Sequence, residues 1–243
     1  MFYFQAKKIM IVKTKGILNQ IFRSKRTFPI SINYNEYWLS KRGKTLGTVL
    51  NNFQIERFTW ALNRIHENSS LIDLGSGDGV FINFLQNKKK NITTFSADIS
   101  EYVSSSNNKN NHIVCDISSP EQVRSLGSYD YVSLFEVIEH IPNSEELVQS
   151  AIKIARKSIF ISIPNTGYFP FRLRLLFGKF PDQWRVHPGE HLRFWTCTDF
   201  SIWLENILQD EQVIFNYYEG IPLLNKLLPK LFAAGIVCEI RKK

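Results

Sequence analysis

The sequence predicts an α/β fold, a mostly parallel sheet with helices on both faces. Three observations predict it. From residue 70 onward, short apolar runs alternate with helical stretches, the pattern of strand–helix–strand units. The first run, Leu71–Leu74, passes directly into a turn with glycine at Gly75, Gly77 and Gly79. The first three runs carry aspartates at their ends, Asp73, Asp98 and Asp116.

The elements follow in order. A helical stretch, Ile55–Asn68, leads into the first strand. Past the glycine turn come a helix over Val80–Asn87 and a second strand, Ile92–Ala97, ending at Asp98. A weak helix after Ser100 and a Ser/Asn/Lys loop, Ser104–Asn111, precede a third strand, His112–Cys115. Next come a helix over Pro120–Leu126 and a fourth strand, Tyr129–Val137. The helix Ser144–Arg156 has Asn143 or Ser144 as N-cap, Glu145 and Glu146 early, and Lys153, Arg156 and Lys157 late. That order of charge complements the helix dipole. Strand Ser158–Ile163, a helix over Thr198–Leu208, and strands Gln212–Tyr218 and Gly235–Arg241 bring the sheet to seven.

The glycine turn carries the chemistry. Its glycines let the backbone approach a ligand more closely than any side chain permits. A dinucleotide turn of the form G-x-G-x-x-G needs glycine or alanine where this chain has Val80, so a nicotinamide cofactor is excluded. Asp98, about 20 residues beyond the turn and at a strand end, suits the two hydroxyls of a ribose. Any one of these aspartates reads equally well as a turn former or a helix cap. Several in order at α/β spacing are hard to assign to turns.

The run Asp73-Leu74-Gly75-Ser76-Gly77-Asp78-Gly79 resembles the first motif of the class I S-adenosylmethionine-dependent methyltransferases. Glu136-Val137-Ile138-Glu139-His140-Ile141-Pro142 resembles the E-x-x-E-H-I-P stretch after the fourth strand of many small-molecule members. Pro164-Asn165 with Gly167, the pair Arg172 and Arg174, and His191-Leu192-Arg193-Phe194-Trp195-Thr196 are similar to a group that includes methionine-biosynthesis-associated and polysaccharide-pathway methyltransferases. The resemblance covers roughly residues 34–241.

It implies a Rossmann-like seven-stranded sheet with an antiparallel last strand, and S-adenosyl-L-methionine as cofactor. The cofactor residues it implies are Asp73, Gly75, Ser76 and Gly77 at the amino-acid end, Asp98 and Ile99 at the ribose, Asp116 and Ile117 at the adenine, and Phe135 with Glu136 after the fourth strand. An N-terminal segment would close over the cofactor, making Tyr34, Tyr37 and Trp38 lid residues, although aromatic packing explains them as well.

Two units are expected: a basic arm and lid start over residues 1–44, and a methyltransferase domain over 45–243 with a substrate-side insertion at 164–195. Loops beyond the carboxyl ends of parallel strands are where such sheets bind ligands. Tyr37, Arg172, Arg174, His187 and Arg193 are therefore read as acceptor ligands. Methyl transfer to a hydroxyl needs alignment and removal of a proton. His140 is the leading base and His191 the next, because imidazole titrates near neutral pH.

Composition narrows the reading further. Residues 1–44 hold ten Lys or Arg against Glu36 alone, +9 of the formal +8, so the remainder sums to −1. A neutral domain argues against nucleic acid, and the aromatic N-P-P-Y signature is absent after the fourth strand. Residues 1–26, with apolar residues between lysines, suit a solvated face or the surface of an anionic membrane. Cys115, Cys197 and Cys238 form no C-x-x-C pair and read as buried thiols in a reducing compartment; no metal is expected. The longest apolar run of the arm, Ile9–Val12, is too short for a signal peptide, so the expected location is cytoplasmic, with peripheral contact at the inner membrane face. The expected reaction is O-methylation of a small-molecule or sugar-type acceptor, such as a sugar nucleotide, in surface-glycan or secondary-metabolite biosynthesis. An RNA methyltransferase and a cofactor-binding, non-catalytic partner of a biosynthetic enzyme are the alternatives.

Overall fold

The protein is described by a computed structural model over residues 16–22, 50–100, 111–181, 183 and 190–243. The readings of Tyr34, Tyr37, Trp38, His187 and the weak helix after Ser100 fall outside these residues. Seven strands form one sheet: β1 (Ser69–Leu74), β2 (Ile92–Asp98), β3 (His112–Val114), β4 (Tyr129–Phe135), β5 (Ala155–Pro164), β6 (Gln212–Tyr218) and β7 (Gly235–Arg241). Their order is β3-β2-β1-β4-β5-β7-β6. β1 to β5 run parallel, and β7 lies antiparallel between β5 and β6, as expected for the last strand. Strand order reverses between β1 and β4, and the carboxyl edge at such a switch point is where open α/β sheets bind ligands.

Alternation along the strands sends side chains to opposite faces. Ile72, Ile159 and Ile161 enter one core, with Val123, Leu147, Val148, Phe200 and Leu204 from the covering helices. Their neighbours Leu71 and Phe160 enter the other, with Phe58, Ala61, Phe81, Ile82 and Leu85. Each fully buried Phe or Leu contributes about 1.5–3 kcal/mol. The helices are α1 (residues 16–22), α2 (Asn52–Leu62), α3 (Val80–Lys88), α4 (Pro120–Ser125), α5 (Ser144–Ile154), α6 (Phe169–Leu176), α7 (Cys197–Ile207), α8 (Leu224–Leu227) and α9 (Pro229–Phe232).

Four expectations shift, each for a local reason. The helix expected over Ile55–Asn68 begins three residues earlier, because Asn51 and Gln54 form a reciprocal capping box. The fourth strand stops at Phe135, since Glu136 adopts a left-handed φ of 57° and the chain continues into a 3-10 turn, Ile138–His140. α5 ends at Ile154 with Ala155 already extended, so Arg156 and Lys157 belong to β5 and pair there with Asp130. The proline-broken insertion contains α6, with Pro170 in its first turn, where a missing N–H costs nothing.

Candidate active site

The glycine loop follows β1 at the switch point. Gly75, Gly77 and Gly79 take φ values of 69°, 57° and 70°, a region that L side chains rarely enter. A Cβ on Gly75 would lie 2.7 Å from Cγ2 of Val137, so the loop has no room for a side chain there. The backbone N–H groups of Gly75 and Ser76 donate to the carbonyl of Ala97, binding the loop to the end of β2. The N–H of Gly77 donates to Oδ2 of Asp98 at 2.8 Å, and that of Ser100 to Oδ1 at 2.9 Å. Asp98 therefore couples the loop to the strand end, and burial raises its pKa.

Below the loop lies Asp73, 4% exposed and in register with Ser133 of β4. The Ser133 hydroxyl donates to its Oδ1 at 2.6 Å. Burial lifts the Asp73 carboxyl to about 7, opposed by that hydrogen bond and by the Arg57 charge. Asp116 holds the N–H and hydroxyl of Ser118 on Oδ1, and Ile117 packs toward Gly75. The Ser76 hydroxyl is buried without a hydrogen-bond partner.

A second charged group gathers after β4. Glu136 Oε1 accepts from the Ser162 hydroxyl at 3.0 Å and the Tyr218 hydroxyl at 3.2 Å, and lies 3.1 Å from Nη1 of Arg57. Glu139 is 1% exposed, and neither carboxylate oxygen has a hydrogen-bond partner. Burial and the nearby Glu136 hold its pKa well above the usual carboxylate range. The Glu139 carbonyl accepts the N–H groups of Leu192 and Arg193, which fastens the segment after residue 190 to the 3-10 turn. His140 Nδ1 donates to the carbonyl of Glu190, and its Nε2 lies 3.8 Å from Glu139 Oε1. The His140 and His191 rings meet edge to face at 4.7 Å, and burial pushes His191 down to about 3.

Gly75, Ser76 and Gly77 of the loop, Asp73, Asp98, Asp116, Arg57, Glu136, Glu139, His140 and His191 line one cleft of about 1010 Å³. The ten residues read as cofactor ligands line it, and so do His140 and His191. The arginines read as acceptor ligands do not. Arg172 donates to the carbonyl of Gly167, Arg174 is buried and donates to the carbonyls of Gln20, Ile21 and Phe180, and Arg193 pairs with Glu145 and the carbonyl of Pro142. Each guanidinium holds a local turn or helix end, and none lines the cleft.

The sequence reading missed Arg57 and Tyr218 as members of the site, and had Glu139 only as part of the stretch around His140. The available signal was Arg57 on the apolar face of α2, one helical turn from Ala61. Glu139 and His140, adjacent in the turn after β4, meet His191 from the later segment, and one donor atom of each lies within 4.8 Å of the others.

A methyltransferase-domain family model matches residues 51–207, well over half of the chain. The chain belongs to the methyltransferase-domain family. Solved structures with the same fold include an S-adenosylmethionine-dependent methyltransferase from Archaeoglobus fulgidus, 16% identical over 86% of this chain and 100% of that one, with a TM-score of 0.60. One from Aquifex aeolicus is 13% identical over 87% and 99%, with a TM-score of 0.56. The plantazolicin methyltransferase BpumL in complex with SAH is 15% identical over 98% and 99%, with a TM-score of 0.55. Among curated proteins none matches.

The methyl donor of this methyltransferase is S-adenosylmethionine, of the class I type. The residues present fit it. The loop at Gly75 is bare of side chains where a ligand must approach, the Ser76 hydroxyl is unspent, and buried carboxylates at Asp73 and Asp98 suit an amino group and a diol. When bound, the cofactor supplies a methyl group already activated on a sulfonium sulfur.

Proposed function

We propose that this methyltransferase methylates an oxygen of a small, hydroxyl-bearing acceptor, a sugar or sugar nucleotide, in glycan or secondary-metabolite biosynthesis. The observation that carries the proposal is the shared cleft: the glycine loop, Asp73 and Asp98 line it together with Glu139, His140 and His191. Its volume is at the upper end of what small-ligand sites occupy, enough for a cofactor and a small acceptor.

In this reading the glycine loop and Asp73 receive the amino-acid end of the cofactor, Asp98 with Ile99 the ribose, and Asp116 with Ile117 the adenine. The buried Glu136–Arg57–Tyr218 group fixes the turn after β4. His140, with Nδ1 on the Glu190 carbonyl, is the proposed base for the acceptor hydroxyl, and His191, too weak a base for that at neutral pH, contacts the acceptor as a neutral imidazole. The S–C bond breaks as the O–C bond forms; the sulfur keeps the bonding pair, and the hydroxyl proton leaves the acceptor. Tyr37 and His187 stay as proposed acceptor contacts. We place the enzyme at an anionic membrane face through residues 1–26.

The test is S-adenosylhomocysteine formation screened across sugar nucleotides and their precursors. The expected result is turnover with a hydroxyl acceptor, and a loss of about 10²–10⁴-fold in kcat for His140→Ala with S-adenosylmethionine binding intact. Calorimetry that shows no binding of S-adenosylmethionine at about 1 mM, far above ordinary substrate affinities, sinks the cofactor assignment. Methylation of RNA in place of every small acceptor sinks the acceptor class.

A further inference from the structure

We propose that Glu139, His140 and His191 form a binding site for one divalent cation in the wall of the cleft. The methyl-transfer reading is needed only for what the cation does there, not for its binding. Each residue offers one donor atom, and the three atoms lie within 4.8 Å of one another. Among the described residues this is the one group of three or more His, Cys, Asp or Glu with such spacing.

The independent observation is the state of Glu139. Its carboxylate lies in the cleft wall, 1% exposed, and both oxygens lack a hydrogen-bond partner. Buried carboxylates are ordinarily paired or hydrogen-bonded, because removing one from water without compensation is costly. The nearby guanidinium makes no hydrogen bond to it, since Arg57 is turned to Glu136 and Tyr218, and its charge favours the Glu139 carboxylate only through space. Glu136 itself is committed through Oε1 to Arg57, Ser162 and Tyr218.

The histidines are arranged as ligands commonly are. A metal-bound histidine usually donates its other ring N–H to a carbonyl or carboxylate, which fixes its tautomer. His140 does this through Nδ1 to the carbonyl of Glu190, with Nε2 on the Glu139 side, 3.8 Å from Oε1. His191 Nδ1 is buried and without a hydrogen-bond partner. The two backbone bonds from Leu192 and Arg193 to the Glu139 carbonyl clamp both segments together, so the three donors are set before any ligand arrives.

Two imidazoles and one carboxylate suit a borderline first-row cation such as Mn²⁺, Fe²⁺, Co²⁺ or Zn²⁺ better than Ca²⁺, which prefers an all-oxygen shell. Three protein ligands leave coordination positions open, as catalytic sites do. A cation held beside the acceptor is a Lewis acid that eases loss of the hydroxyl proton to solvent, with no change in its oxidation state. His140 then serves transfer as a ligand and not as a free base.

The experiment uses the full chain, stripped with a chelator, dialysed, and titrated with Mn²⁺ followed by electron paramagnetic resonance and with Zn²⁺ followed by calorimetry. S-adenosylmethionine binding is measured in parallel. We expect close to one cation per chain. Affinity should weaken by about 100-fold or more in Glu139→Gln and in His191→Ala, since loss of groups that merely support a metal ligand already costs 10–100-fold. Circular dichroism and retained S-adenosylmethionine binding identify variants that remain folded. No uptake of either cation by the wild-type chain at about 1 mM, a concentration that detects even weak sites, overturns the site. Wild-type affinity in both folded variants overturns it equally. Cation binding without S-adenosylmethionine binding leaves the site standing and removes the methyl-transfer reading; the reverse result does the opposite.

Discussion

At the scale of single residues, Asp73 concentrates the tension in this site. A carboxyl with an ordinary value of 3.8 is lifted to about 7 because burial disfavours its charge by more than the Ser133 hydroxyl and Arg57 restore. Folding therefore favours the protonated form. Between pH about 4 and about 7 the unfolded chain has released a proton that the native chain retains, so stability falls as pH rises through that window and levels off above it. Three units correspond to at most about 4 kcal/mol. Asp73→Asn keeps an acceptor for Ser133 and removes the charge. In the ligand-free protein its stability relative to wild type should grow from pH 4.5 to 7, roughly the titration window, and then stay level in urea unfolding. A constant difference across the range would show that Asp73 does not titrate there. The same carboxyl links stability to function. S-adenosylmethionine carries a cationic amino group, and its affinity should climb with pH up to about 7 in wild type and stay flat in Asp73→Asn.

At the scale of elements, α2 shows how the fold builds the site. Its capping box starts it at Asn52, Phe58 and Ala61 bury it on the sheet, and Arg57 on the same face reaches Glu136 and Tyr218. Three elements, α2, the end of β4 and the end of β6, are thus tied through one buried guanidinium. Arg57→Leu keeps the apolar packing but leaves Glu136 with only the Ser162 and Tyr218 hydroxyls, and should cost about 1–3 kcal/mol of stability at neutral pH in denaturant unfolding. Arg57→Leu combined with Glu136→Gln should recover much of that loss; a double variant no better than the single would refute the pairing. The sheet itself was legible because parallel strands buried on both faces are continuous apolar runs, and the residues read as cofactor ligands share one cleft because they follow those runs directly. The Arg57–Glu136–Tyr218 group was not, since its members are joined only by folding and an arginine beside Phe58 looks like a solvated charge. Arg172, Arg174 and Arg193 misled for the converse reason: guanidinium forks that suit an anion suit carbonyls and Glu145 equally well.

At the scale of the molecule, charge and apolar surface meet at one place. α1 and α6 are joined by Arg174, which holds the carbonyls of Gln20 and Ile21, and by the Phe22–Phe177 ring contact at 6.1 Å. Around this junction Leu18, Phe22, Leu175, Leu176, Phe177 and Phe180 are exposed, beside Lys179, and the same two helices contribute Ile17, Gln20 and Phe171 to the cleft wall. Among the described residues no helix is long and apolar enough to cross a membrane. Large side chains flanked by lysines instead suit insertion into the interface of an anionic bilayer, with the +9 of residues 1–44 adding attraction that salt screens. The full chain should therefore sediment with phosphatidylglycerol vesicles at low salt, less so at about 0.15 M, and hardly with neutral vesicles. Removing residues 1–26 should abolish the salt-sensitive part. Leu176→Asp with Phe177→Asp, in the intact chain, should weaken the remainder without altering S-adenosylmethionine binding, because neither side chain lines the cleft. Sedimentation unchanged by both alterations would remove the membrane from the account. Sedimentation lost in the double variant alone would mean that the apolar face next to the cleft, more than the basic arm, holds the enzyme at the bilayer, and lipid-linked acceptors would become the first to assay.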